Sequence, residues 1–305
     1  MLYSFISGKG GVGKSSLACA LALKYASQGE EVLLLAFDKN LRIPGTPSSL
    51  EFHRLYQIGD QIGDNRSSFQ YCIIDPIICF QEFLLTHFGG RLKIGATIAK
   101  KVLENRVINS FLSVCPGFDA AALLGKIMWE GQEGKNPSNQ KKWTKIVIDA
   151  PASGHFLKYF DSTFSLLQIF KIGFISKHLK EIKDTFQNQK LSQFLIPTLC
   201  EELPAQESVE MISKMSEHPL PNLKLIINKS PQNIWTETEK TADQFKNSHL
   251  QNLILAEKEA FLNESKIKTT LLEHPNFYCE IDRFFSIKYW DVVLNMKSRL
   301  EATQL

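Results

Sequence analysis

Residues 8 to 16 read Gly-Lys-Gly-Gly-Val-Gly-Lys-Ser-Ser, and their neighbours decide what this glycine-rich turn is. Before it runs Leu2-Tyr3-Ser4-Phe5-Ile6, short, apolar and aromatic like a buried strand. After it Leu17-Ala18-Cys19-Ala20-Leu21-Ala22-Leu23 opens like a strong helix. A strand, a glycine loop and a helix in that order form a phosphate-binding loop. The glycines Gly8, Gly10, Gly11 and Gly13, with Val12 between, let the backbone curl so that successive N–H groups point inward at phosphate oxygens. The helix start adds its positive dipole end. In this pattern Lys14 bridges the terminal phosphates, Ser15 ligates Mg²⁺, and Ser16 continues the cradle, so the chain is expected to bind a nucleotide with Mg²⁺.

Lys9 is the less common part. A second lysine crowds a site already holding Lys14, which makes sense where two or three phosphates supply the counter-charge. The alternative is an exposed loop charge.

Strands are expected at 32–37, 145–149, 194–199 and 223–228, with a helix over 205–215 between the last two. Two of them run into carboxylates, Asp38 and Asp149. In a parallel sheet these ends share the edge on which the phosphate loop lies. Alternating strands and helices imply an α/β fold, a doubly wound, mostly parallel sheet flanked by helices. Pro197 argues that its strand is irregular or near an edge. The polar, glycine-bearing stretch 131–142 reads as a surface loop.

The chain of 305 residues, 44% hydrophobic and 22% charged, is expected to form one domain over 1–305 with a substantial core. A net charge of +3 with scattered lysines gives no footprint for nucleic acid. No apolar run reaches the roughly 18 residues of a membrane span, and no charged leader precedes the first strand, so a cytoplasmic location is expected. The six cysteines, Cys19, Cys72, Cys79, Cys115, Cys200 and Cys279, include no CxxC pair and read as buried thiols.

The loop with Lys9 resembles that of the deviant phosphate-loop ATPases, in which the corresponding lysine reaches across a dimer interface to the partner's nucleotide. The stretch Asp149-Ala150-Pro151-Ala152-Ser153-Gly154-His155 is similar to the strand-to-switch motif of the arsenite-pump and tail-anchored-protein-targeting ATPases. Ile74-Asp75-Pro76, Pro116-Gly117-Phe118-Asp119 and Asn228-Lys229 follow the same family order over residues 1 to about 230. The resemblance implies an ATP-dependent ATPase of the SIMIBI type, dimeric with itself or a paralogue. Lys9, Lys14 and Asp38 are its catalytic candidates; Ser15, Asp38 and Asp149 face the metal; Pro151, Gly154 and His155 form a switch. His155 either relays the switch or simply caps a turn. Asn228, with donor and acceptor together, fits adenine; the alternative is a plain strand-end turn.

The departures matter. In the targeting ATPases the first switch ends on an aspartate that orients the attacking water; aligning Asn40-Leu41 with that pattern puts Ile43 there. Slow hydrolysis is expected. The CxxC that ties targeting dimers is missing, and five methionines make no methionine-rich client cradle. A helical partner- or client-facing segment is expected around 156–190, where Phe164 to Ile175 is apolar on nearly every side and must be buried in something. A C-terminal helix is expected around 277–300. Two other readings stay open: a catalytically weak ATP-bound scaffold paired with a paralogue, and a membrane-positioning ATPase of the partition type.

Overall fold

The computed structural model describes residues 1–37, 43–44, 46–47, 49–59, 68–88, 117–232, 248–284, 286 and 288–303. Within these lie eight strands: β1 (Leu2–Ile6), β2 (Val32–Ala36), β3 (Leu55–Ile58), β4 (Phe69–Ile73), β5 (Lys145–Asp149), β6 (Ser192–Thr198), β7 (Leu223–Ser230) and β8 (Phe277–Asp282). Eight helices accompany them: α1 (Lys14–Ser27), α2 (Pro76–Phe88), α3 (Phe118–Glu133), α4 (Ser153–Ile169), α5 (Gly173–Phe186), α6 (Glu202–Glu217), α7 (Ser248–Leu272) and α8 (Tyr289–Ala302). The strands form one sheet in the order β3-β4-β2-β5-β1-β6-β7-β8. Only the β3–β4 pair is antiparallel. The doubly wound, mostly parallel α/β fold is as expected.

Both faces of the central strands are dry, and their alternation divides the core in two. Tyr3, Phe5, Leu33, Leu35, Ile146, Ile148, Phe194 and Ile196 face one cluster, which α3, α4 and α5 cover. Ile6, Leu34, Ala36, Val147, Leu195 and Ile226 face the other, under α1 and α8. The phenylalanine stripe of α4 is absorbed by the first cluster. Phe156 and Phe160 meet Phe5 at 5.8 and 5.7 Å between ring centroids, and Phe5 stacks on Phe194 at 5.0 Å. The apolar segment around 156–190 is therefore two helices, mostly core, broken at residues 170–172. Of its large apolar side chains, those exposed are Ile169, Ile172 and Phe174 at the corner.

Three expectations are corrected. The stretch 277–300 is not one helix. Its first six residues are β8, with Cys279 and Ile281 buried against the sheet, before α8 begins. Pro197 sits in an interior strand, between β1 and β7. In the alternating ladder, Leu195 bonds toward β1 and Phe194 toward β7, through Ser7 N–H to Leu195 O and Phe194 N–H to Asn222 O. Pro197, two residues on, turns its missing N–H to the β1 side, where that strand has already left for the glycine loop. The 131–142 stretch begins inside α3, which runs to Glu133. Gly131 packs so closely on Tyr3 that a side chain there would strike its ring.

Candidate phosphate-binding site

The loop sits where β1 leaves the sheet between β5 and β6, and each glycine serves a separate need. Gly11 and Gly13 have φ of 86° and 92°, the left-handed region that favours glycine. A side chain on Gly8 would lie 2.8 Å from the Pro197 carbonyl, so the loop touches β6 there. A side chain on Gly13 would run into the Asn228 amide. Gly10 and Gly11 have nothing within 4 Å on that side, which leaves the outer face of the loop open. Val12 is buried and pins the loop from below. Helix α1 takes its first bond from Leu17 N–H to Gly13 O at 3.0 Å. The earlier N–H groups, those of Lys14, Ser15 and Ser16, have no carbonyl behind them within the helix, and no acidic residue occupies the first turn. This is the arrangement that receives an anion.

Asp149 closes β5 and is level with Ile6 on one side and Ala36 on the other. It is 7% exposed. Burial lowers the pKa of Lys14 below its ordinary 10.5, and the negative charge of Asp149 pulls it part of the way back. The same carboxylate, with burial as the larger cause, helps push the Cys19 thiol up to about 12. A dry carboxylate, a half-buried lysine and a helix start thus share one field beneath an open glycine face. Such a donor set fits a divalent cation with a polyphosphate.

Both lysines of the loop are engaged with protein atoms. Lys14 Nζ donates to the carbonyl of Lys9 at 2.9 Å, and Lys9 Nζ pairs with Glu207 Oε1 on α6 at 2.8 Å. Asn228 is 1% exposed. Its Nδ2 donates to Val12 O at 2.7 Å and its Oδ1 accepts from Lys229 N–H at 2.9 Å. The amide expected to meet adenine thus holds the Val12 carbonyl and its neighbour's N–H, because β7 brings it under the loop.

Pro151 lies just past β5, and its carbonyl accepts from Ser7 Oγ at 2.8 Å, tying the expected switch to the residue just before the loop. Gly154 and His155 are exposed and lie in the first turn of α4 rather than in an open turn. Asp38, expected beside them, lies outside the described residues. Ile43 is 1% exposed and packs in the cluster containing Ile6 and Ala36.

Sequence reasoning missed Glu207 and Tyr289. Tyr289 Oη donates to Cys19 Sγ at 3.3 Å, fastening α8 to α1 behind the loop. Neither belongs to a local pattern; each is brought in by sheet order from roughly 200 to 270 residues away. A separate cleft of about 400 Å³ between α2, α3 and α5 is lined by Phe83, Trp129, Phe174 and His178. Near it Asp75 caps α2, accepting from Ile77 and Ile78 N–H. Five cysteines are free and buried, Cys115 being outside the described residues; burial pushes the Cys72 thiol up to about 12 and that of Cys200 up to about 11. Among the described residues no group of His, Cys, Asp and Glu is placed to hold a metal by itself, and no helix is long and apolar enough to cross a membrane.

Residues 1–45 match the family described as anion-transporting ATPase. The chain is 26% identical to the ATPase BagA of Mycobacterium tuberculosis over 74% of its own length and 64% of the relative's, so it spans less than two thirds of that protein. It is 24% identical to an ATPase ASNA1 homolog of Plasmodium berghei over 88% of its own length and 76% of the relative's. Sequence and fold agree in likening the chain to the ArsA-type ATPases.

Proposed function

We propose that the chain binds Mg·ATP at this loop, hydrolyses it slowly, and uses the nucleotide to form a dimer, with itself or a paralogue, that engages a protein partner. The observation that carries this reading is the register of Asp149 with Ile6: it sets a dry carboxylate beside the loop, close enough to bear on Lys14. Lys14, Lys9 and the first N–H groups of α1 bind the phosphates, and Ser15 and Asp149, with Asp38, hold the cation. A bound divalent ion supplies charge against the phosphate oxygens. Pro151, Gly154 and His155 report the occupied site to the surface, since Ser7 joins the loop to Pro151. The names of the relatives, all ATPases, favour ATP among nucleotides.

Titration calorimetry with Mg·ATP on the wild type and Lys14→Ala tests the reading. Clear binding lost in the variant supports it; equal affinity in both removes it.

A specific observation also favours the weakly hydrolysing scaffold. Residue 43 is an isoleucine packed in the core, so this residue brings no water-positioning carboxylate to the first switch. In this reading the paralogue completes the reaction, and turnover appears only when both chains are mixed.

A further inference from the structure

Glu207 stands half-buried on the flank of α6, beside the face anchored by Ala205, Ser208, Met211, Ile212 and Met215. Its partner, Lys9, rides on the exposed part of the loop, and the two side chains are 43% and 29% exposed. Helix α6 follows β6, the strand beside β1, so the fold delivers this carboxylate to the mouth of the site. Lys14 Nζ meanwhile donates to the backbone carbonyl of Lys9. Both loop amines are therefore satisfied by the protein, one of them by a negative charge that competes with any incoming polyphosphate.

We propose that Glu207 is a latch: it parks Lys9 on α6 and must surrender it to the phosphates of a bound nucleotide, so that nucleotide-driven assembly begins only when the ion pair opens. This rests on the reading of the loop as a Mg·ATP site. The physical ground is competition. A carboxylate at 2.8 Å holds the lysine by a charge-assisted bond, while a triphosphate offers more charge to the same amine. The freed carboxylate then faces like charge and turns out to solvent. Because the pair is partly exposed, the hold is weak and reversible, as a latch requires.

The test measures Mg²⁺ with a non-hydrolysable ATP analogue by calorimetry, and assembly by sedimentation, on the wild type, Glu207→Gln, Lys9→Ala and the double variant. Glu207→Gln is expected to tighten analogue binding about two- to five-fold and to bring assembly to lower analogue concentration. In the Lys9→Ala background the same substitution is expected to give no gain, because there is nothing left to release. An equal gain in both backgrounds would show general charge relief and overturn the latch. Unchanged or weaker binding in Glu207→Gln would also overturn it, while leaving the Mg·ATP site intact. Failure of the wild type to bind the analogue would remove the site's reading and the latch with it.

Discussion

Asn228 holds the carbonyl of Val12 through Nδ2 at 2.7 Å, joining the end of β7 to the middle of a loop 216 residues earlier in the chain. The bond turns one loop carbonyl inward, toward the protein, and leaves the neighbouring N–H groups for the ligand side. It also explains Gly13: the amide occupies the space where a side chain would stand. Asn228→Ala should leave the buried Val12 carbonyl without its partner, at a cost of about 1 to 3 kcal/mol. The variant should melt earlier in the absence of nucleotide as well as bind ATP more weakly, which a thermal scan with and without Mg·ATP checks. Weaker binding at unchanged nucleotide-free stability would instead point to a base contact.

Lys14→Ala removes a charge-assisted phosphate contact, worth about 1.5 to 3 kcal/mol. Mg·ATP affinity should fall roughly ten- to a hundred-fold. The nucleotide-free fold should be unharmed, since burial disfavours the charge that the substitution deletes. A calorimetric titration beside a melting curve separates the two effects, and a large loss of stability would contradict this account.

The pH dependence has a definite sign. Burial holds the Lys14 pKa below 10.5, so the folded chain sheds that proton before an unfolded one does. Between the lowered value and 10.5 the unfolded chain carries more protons, and this group's contribution to stability rises with pH there. Phosphates favour the charged lysine, so ATP binding within that alkaline window should take up protons. Titrations in buffers of different ionisation enthalpy should show the uptake, and proton release would refute it.

How far the sequence reached depends on whether the signal was local. The loop, its flanking strand and helix, and Asp149 at a strand end were readable because each is set by residues within about ten positions. Sheet order was not, and it supplies Glu207 beside Lys9 and Asn228 beneath Val12. Pro197 shows the same limit: proline suggests an edge, but the ladder tolerates it where the neighbouring strand has ended. The strand in 277–282 was hidden because its aromatic residues also fit a helical stripe, and only pairing with β7 decided the matter.

Ile43 carries the last prediction, and here the structure changes what the sequence suggests. Alignment with the targeting ATPases places Ile43 at the water-orienting carboxylate, which invites Ile43→Asp as a way to raise turnover. The side chain is instead 1% exposed, packed with Ile6, Ala36 and the apolar face of α1. Its carbonyl accepts both the backbone N–H and the hydroxyl of Thr46, so the main chain around it is also held. An aspartate there would place an uncompensated charge in the core, at a cost of about 3 to 5 kcal/mol, or stay protonated and useless for positioning water. Ile43→Asp should therefore lower the denaturant midpoint sharply without speeding phosphate release. A stable variant with faster turnover would show that this residue reaches the nucleotide after all, and the burial argument would fall.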